Sequence, residues 1–405
     1  MRVGVYLSDY RPTAGGGYTF QEDLFKALLR LAGTSRHSFT ALCASVEALQ
    51  FAQGLSRPSN VSLLAIPKAG PLERLWKGLY RAVPVIRRAW PMVSSLQRII
   101  EAEGVEIVWF LSGVSTEIPD VPYIATIWDV QHRTHPWLPE VSADGVWESR
   151  ESAIRPFLGR AAWVITGTHV GAEELERFYQ IPKNRIRILP HPTPEFALRA
   201  NTDRDKTTGG TGLQGDYLVY PAQFWPHKNH VTLLYGIRAL RERHGYAPKL
   251  VLMGSDKGNR AHVEQVALEL GVRDQVIFPG FVTQNDLVEL YRNAVVLVYV
   301  PMSGPENLPP LEAFAIGCPV IASDIPGARE QLGDAAILVP PFDPDAIADA
   351  IQTLRVDRER RGRLITAGLA RARAWTGSDF VSAVFRLLDE FEPVRRCWPR
   401  PSQRL

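Results

Sequence analysis

The stretch SGPENLPPLEAFAIGCPVIAS, residues 303–323, places a glycine, three prolines and an asparagine ahead of one short apolar helix, which then runs into a β-branched strand. Pro309 and Pro310 at the start of a helix over 309–317 lose no hydrogen bond, because the N–H groups of a first turn have no partner within the helix. A helix N-terminus carries about half a positive charge and outward-pointing N–H donors, which makes it a seat for phosphate. Gly304, Glu306 and Asn307 shape the approach, and Glu312 lies early enough in the helix to accept from a hydroxyl in a cleft. An ordinary strand-to-helix loop with a solvated glutamate fits the same residues equally well.

Three other stretches carry residues of the right kind. In YPAQFWPHKNH, residues 220–230, Lys228 follows a strand pattern and offers a cation beside Gln223. In YRPTAGGGYTFQEDL, residues 10–24, Gly15, Gly16 and Gly17 let a backbone approach a ligand closely, although the spacing is not that of dinucleotide-binding glycines. In TIWDVQHRTHPWLPEVSADGVWESRE, residues 126–151, Asp129, Gln131 and His132 sit among Trp128, Trp137 and Trp147. Indole rings stack on the apolar faces of sugars while polar neighbours bind hydroxyls. Each has a plainer alternative: a solvated lysine, a glycine turn, a capped loop over core tryptophans.

A fifth feature is electrostatic. Residues 68–98 hold seven Lys or Arg against one acid, interleaved with Trp76, Tyr80 and Trp90. Such a face suits an anionic membrane surface, as it also suits plain solvation.

These residues need a scaffold. A chain of 405 residues exceeds one core and suits two domains. Hydrophobic content of 45% and charged content of 22% are those of a globular protein, and a net charge of +3 gives no reason to expect nucleic acid. The three cysteines, Cys43, Cys318 and Cys397, have neither metal-ligand nor disulfide spacing, which suits a reducing compartment. The N-terminus turns polar too early for a signal-peptide core, and no apolar run reaches the about 18 residues of a membrane span. The expectation is a cytoplasmic protein without its own anchor, peripheral on the inner membrane face where 68–98 meets anionic lipid.

Strand patterns fall at 2–7, 38–43, 61–66, 105–110, 122–127, 162–166 and 185–188, then at 216–220, 248–253, 275–278, 295–300, 319–322 and 336–339. Helical periodicity fills most gaps, as at 18–32, 168–180, 229–243, 259–270, 283–293 and 343–354. Alternation of this kind predicts α/β architecture with parallel sheets, and two series predict two of them. The expected division is 1–195 for an N-terminal domain, 196–215 for a linker, 216–375 for a C-terminal domain, and 376–405 for a C-terminal helix and tail that crosses back. In doubly wound sheets ligands bind beyond the carboxyl ends of the strands. Two facing domains would therefore bring the four stretches into one cleft.

With these motifs in view, NLPPLEAFAIGCPVIASDIPGARE resembles the donor-binding segment of family-four glycosyltransferases, retaining enzymes of the GT-B fold with two Rossmann-like domains around a central cleft. Their pattern Glu-Gly-Phe-Gly-Leu-Pro-x-Leu-Glu puts its second glutamate on Glu312, which the resemblance assigns to the donor ribose. The first glutamate falls on Gly304, so the chain is similar to a Gly-Pro-x-Asn variant, leaving the transferred sugar to Glu306 or to backbone around Asn307 and Leu308. The resemblance gives Lys228 the lysine that pairs with diphosphate, and Gln223 the place of a usual arginine. Gly15–Gly17 resemble the glycine loop opposite the donor. Asp129 and His132 match a His-Asp-x-x-His pattern whose first histidine is Trp128 here, and the resemblance puts these three on the acceptor side, in the first domain, with the nucleotide sugar bound by the second.

What the resemblance implies is a retaining hexosyltransferase. It would move a sugar, with GDP-mannose the first donor suggested, onto a saccharide or lipid-linked acceptor in cell-surface polysaccharide synthesis. Lys228, Glu306, Asp129 and His132 are the implied catalytic groups, with no metal or other cofactor and no nucleic acid. A non-catalytic nucleotide-sugar-binding partner and a sugar-nucleotide epimerase on the same fold are the alternatives.

Overall fold

The computed structural model describes residues 1–9, 15–67, 94–111, 113–200, 213 and 215–399. Most of the basic stretch 68–98, and most of the expected linker, lie outside these residues.

Every strand segment expected from the sequence is a strand, its ends moved by one or two residues at most. The first sheet comprises β1 (Arg2–Leu7), β2 (Ser38–Cys43), β3 (Val61–Ala65), β4 (Ile107–Phe110), β5 (Tyr123–Thr126), β6 (Trp163–Thr166) and β7 (Ile186–Ile188). The second comprises β8 (Tyr217–Pro221), β9 (Lys249–Met253), β10 (Val276–Gly280), β11 (Val296–Tyr299), β12 (Val320–Ser323) and β13 (Ala336–Val339). Their orders are β3-β2-β1-β4-β5-β6-β7 and β10-β9-β8-β11-β12-β13, with parallel pairing throughout. Both are doubly wound, and the order reverses between β1 and β4 in one and between β8 and β11 in the other.

Both faces of the first sheet are buried, which is why its strands read as nearly continuous apolar runs. Ile107, Trp109 and Leu111 enter the core beneath the helix Gly16–Leu31, whereas Val108 and Phe110 enter the core on the opposite face. That helix repeats Phe20, Leu24, Phe25 and Leu28 on its buried side.

The helix Gly377–Arg395 leaves the second half of the chain and packs on Gly16–Leu31. A reciprocal capping box between Thr376 and Asp379 starts it. Phe380, Val381, Val384 and Leu388 then complete the first core, with Phe380 edge-on to Phe20 at 5.7 Å. No described helix is long and apolar enough to cross a membrane.

Candidate active site

The two reversal points aim their loops at one another. Gly15 and the first helical residues Gly16 and Gly17 come after β1, residues 222–229 follow β8, and residues 300–307 follow β11. A cavity of about 860 Å³ lies between them, bordered by Gly15–Gly17, Trp128 and His191 on one side and by Gln223, Lys228, Leu308 and Glu312 on the other. A smaller recess of about 130 Å³ adjoins it, with Asp129, Gln131, Glu174, His227 and Ser303 among its walls.

The glycine loop makes room. Gly15 has φ 73°, a conformation that costs a side chain strain, and a Cβ there would stand 3.7 Å from the Gln223 amide. A Cβ on Gly16 would come within 3.3 Å of Leu308. Gln21 fixes the end of β1 by accepting from Ser8 N–H at 2.7 Å and donating to the Ser8 carbonyl at 3.0 Å.

Lys228 stands on the short turn Pro226–Lys228, ended by Asn229 in the left-handed region at φ 58°. Asn229 is buried and donates to the Val300 and Pro341 carbonyls, locking the loop to the sheet. The Lys228 ammonium donates to the Tyr299 hydroxyl at 3.1 Å, above a ring 5.6 Å away, and pairs with no carboxylate among the described residues. Tyr299 in turn donates to Asn307 Oδ1 at 3.2 Å. Lysine and helix entry are thus joined through a tyrosine hydroxyl at the end of β11. Gln223 is held at both ends of its amide, donating to Ser255 and accepting from Trp225 Nε1, each at 3.0 Å.

The helix begins one residue earlier than expected, at Leu308, and Gly317 at φ 86° ends it. Its entry offers fewer free donors than the sequence suggested. Asn307 N–H donates to Gln331 Oε1 at 2.9 Å, and Pro309 and Pro310 have no N–H at all, leaving Leu308 N–H unpartnered among the described residues. Glu312 is buried at the cavity edge, where Tyr291 donates to it at 2.8 Å. Burial pushes its carboxyl up to about 7, the Tyr291 bond opposing.

Glu306 departs from expectation. Its carboxylate does not extend freely into the cleft but crosses to the other domain, accepting from His191 N–H at 2.7 Å. It lies so close over Gly167 that a Cβ there would overlap it. Burial raises its pKa, His191 opposing.

The stretch around 128–135 divides. Trp128 borders both cavities, edge-on to Phe20 at 5.5 Å. Asp129 also borders both, paired with Arg150 at 3.0 Å. His132, expected beside it as an acceptor-side and catalytic group, is fully buried and reaches neither cavity. Its Nε2 lies 3.2 Å from Glu151 and 2.9 Å from the Tyr179 hydroxyl. Burial pushes Glu151 up, but donors from Arg133, Tyr179, Arg155 and His132 outweigh it and hold the carboxyl down at about 2. His132 therefore braces the wall from behind. The neighbouring Glu174 does face the smaller recess, and burial with Asp129 nearby pushes it up to about 7.

Tyr299, His191, Glu174, His227 and Glu140 were not singled out in the sequence. Tyr299 had a signal, since it closes the strand whose loop carries Glu306. Among the described residues one cluster, His37, Asp389 and Glu392, has metal-ligand proximity, and it lies outside the cleft. Arg36 and the N-terminal amine pair with the same carboxylates.

Residues 202–371 match the family model described as Glycosyl transferases group 1. The family inferred from the motifs is thereby corrected: the matching model is glycosyl transferases group 1, not family four, and it lends no support to the Gly-Pro-x-Asn variant as a donor motif. An O-antigen chain mannosyltransferase B of Escherichia coli is 34% identical over 232 residues, 56% of this chain and 60% of that one. A D-inositol 3-phosphate glycosyltransferase of Acidothermus cellulolyticus is 28% identical over 247 residues, 58% of this chain and 54% of that one. The chain spans about half the length of the curated relatives it matches. Among solved structures, Anabaena Alr3699/HepE in complex with UDP-glucose superposes with a TM-score of 0.65 at 12% identity, covering 96% of this chain and 100% of that one. Matches of this extent establish the architecture: two Rossmann-like domains with parallel sheets facing a cleft, the GT-B fold.

Proposed function

We propose that the chain transfers a sugar from a nucleoside diphosphate donor to a hydroxyl of a saccharide or lipid-linked acceptor, in the synthesis of a cell-surface polysaccharide. The observation that carries this reading is the convergence of Lys228, unpaired with any carboxylate among the described residues, with Gly15–Gly17 and Leu308 on one cavity. Loss of a nucleoside diphosphate leaves negative charge on the departing phosphate. A fixed ammonium and backbone N–H groups stabilise that charge most when they are already in place.

In this reading Lys228 and Leu308 N–H meet the diphosphate, and Gly15–Gly17 face it from the opposite wall. Glu312 accepts from the ribose, while Gln223 and Asn307 shape the wall around the donor. Glu306 and its partner His191 border the transferred sugar. Trp128 and Asp129 receive the acceptor, whose hydroxyl proton passes to the leaving phosphate oxygen as the new bond forms on the same face, with retention. The reading requires no metal or other cofactor.

Relatives named as O-antigen mannosyltransferases favour mannose, and the UDP-glucose complex of the structural neighbour makes UDP-sugars the alternative. Association with an anionic membrane through 68–98 would bring the enzyme to a lipid-borne acceptor. The deciding experiment incubates the chain with GDP-mannose or UDP-glucose, with and without simple glycosides, and follows nucleotide release and the anomeric signal of the product. Acceptor-dependent release with a retained anomer supports the reading. Nucleotide binding without turnover on any donor would make the chain a binding partner instead.

A further inference from the structure

The two walls of the cleft touch at the residue beside the lysine. Glu140, on the short helix Pro139–Ser142 of the first domain, accepts at one oxygen, Oε1, from both the backbone N–H of His227 at 3.2 Å and its ring Nδ1 at 2.5 Å. The His227 carbonyl accepts from Met302 N–H at 2.8 Å. His227 is therefore pinned from the opposite domain on one side and from the β11 loop on the other. Both side chains are nearly excluded from solvent, at 13% and 7% exposure.

Burial pushes Glu140 up, but the His227 bonds outweigh it and keep the carboxyl below the usual carboxylate range. Burial lowers the pKa of His227, the Glu140 bond opposing, and its ring donates to the carboxylate from Nδ1. The other Glu140 oxygen is buried without a partner. A buried carboxylate left half-satisfied is a poor source of stability. Both of its bonds nevertheless fall on the residue that precedes Lys228, and His227 itself lines the recess that holds Asp129 and Gln131.

We propose that Glu140 is a positioning residue for Lys228, so that the acceptor-side wall fixes the place of the cation that meets the donor diphosphate. The inference rests on the reading of Lys228 given above. It makes donor affinity depend on a residue of the other domain that touches no donor.

The test titrates UDP and GDP by calorimetry into the full chain as wild type, Glu140→Ala, Glu140→Gln, Lys228→Ala and the Glu140→Ala/Lys228→Ala double variant. For the nucleotide that wild type binds more tightly, Glu140→Ala should lose about tenfold in affinity, the scale of one charged hydrogen bond. Glu140→Gln should lose less than about threefold, because its amide oxygen still accepts the His227 N–H. In the Lys228→Ala background the Glu140→Ala change should add nothing, the signature of action through the lysine. If Glu140→Ala lacks the wild-type circular dichroism, His227→Ala takes its place in the same cycle, with the same expectation. Affinity unchanged by Glu140→Ala, or an equal loss in both backgrounds, overturns the inference while Lys228 keeps its role. A Lys228→Ala variant that binds like wild type overturns the functional reading itself.

Discussion

The two sheets share a strand order, with one extra strand at the edge of the first, yet the loops at their reversal points are built from opposite materials. After β1 the chain removes side chains, through Gly15–Gly17, and so supplies space and backbone. After β8 and β11 it adds them: Lys228 on Tyr299, Asn307 on Gln331, Gln223 between Ser255 and Trp225. One half of the cleft offers room, and the other offers a charge held in place before any ligand arrives. Pre-placed charge stabilises a developing anion without reorganisation, and glycines at a helix start let that anion come close.

Removing the charge should break this division most severely. Lys228→Ala is expected to lower the transfer rate about a hundredfold, as loss of a single oxyanion-stabilising group does elsewhere. Its melting temperature should stay near wild type, because the ammonium's hydrogen bond leads to a tyrosine that keeps Asn307. Rates within twofold of wild type would remove the lysine from the chemistry.

Filling the space should cost less. Gly16→Val would press on Leu308, already 3.3 Å from a Cβ, and narrow the passage to the helix entry at Leu308. Nucleoside diphosphate affinity should fall about tenfold, the scale of one charged hydrogen bond, with the melting temperature little changed. Calorimetry on UDP and GDP checks it.

A sharper variant is Gly167→Ala, whose added methyl must displace the Glu306 carboxylate. Turnover should fall several-fold more than nucleotide affinity, since only the intact donor carries a sugar. Equal losses in both would make Glu306 a structural link between the domains and nothing more.

The smallest effect is a pH dependence. Glu312 titrates near 7 in the folded chain, above the range of an unfolded carboxylate. Its contribution to stability is therefore complete at acid pH and lost as pH rises through about 7. Glu312→Gln is uncharged throughout and should melt higher than wild type at about pH 8, by a free energy on the order of 3 kcal/mol at most, with the gap closing towards about pH 5. Parallel melting curves at both pH values would show that the carboxyl ionises without cost in the fold.

The sequence by itself determined the architecture, because the signals concerned are local. Runs such as IVWF and VLVY, buried on both faces, and helices with regular apolar spacing reveal themselves over a few residues. Alternation of the two then leaves few arrangements besides doubly wound sheets, and it places the Gly15–Gly17, Lys228 and Glu306–Glu312 stretches at the carboxyl ends of strands. Long-range packing decided the rest. Asp129 and His132 are three positions apart, yet one faces the cleft and the other is buried, because Glu151 and Tyr179, on helices further along the chain, capture the imidazole. Gln331 takes the Asn307 N–H, which no spacing near the prolines foretells. Glu306 reads as a cleft carboxylate until Gly167 and His191 arrive from the other domain to receive it. Short-range periodicity fixes where a loop lies, whereas the direction and free valence of each side chain on it depend on partners that here lie from 19 to 115 residues away.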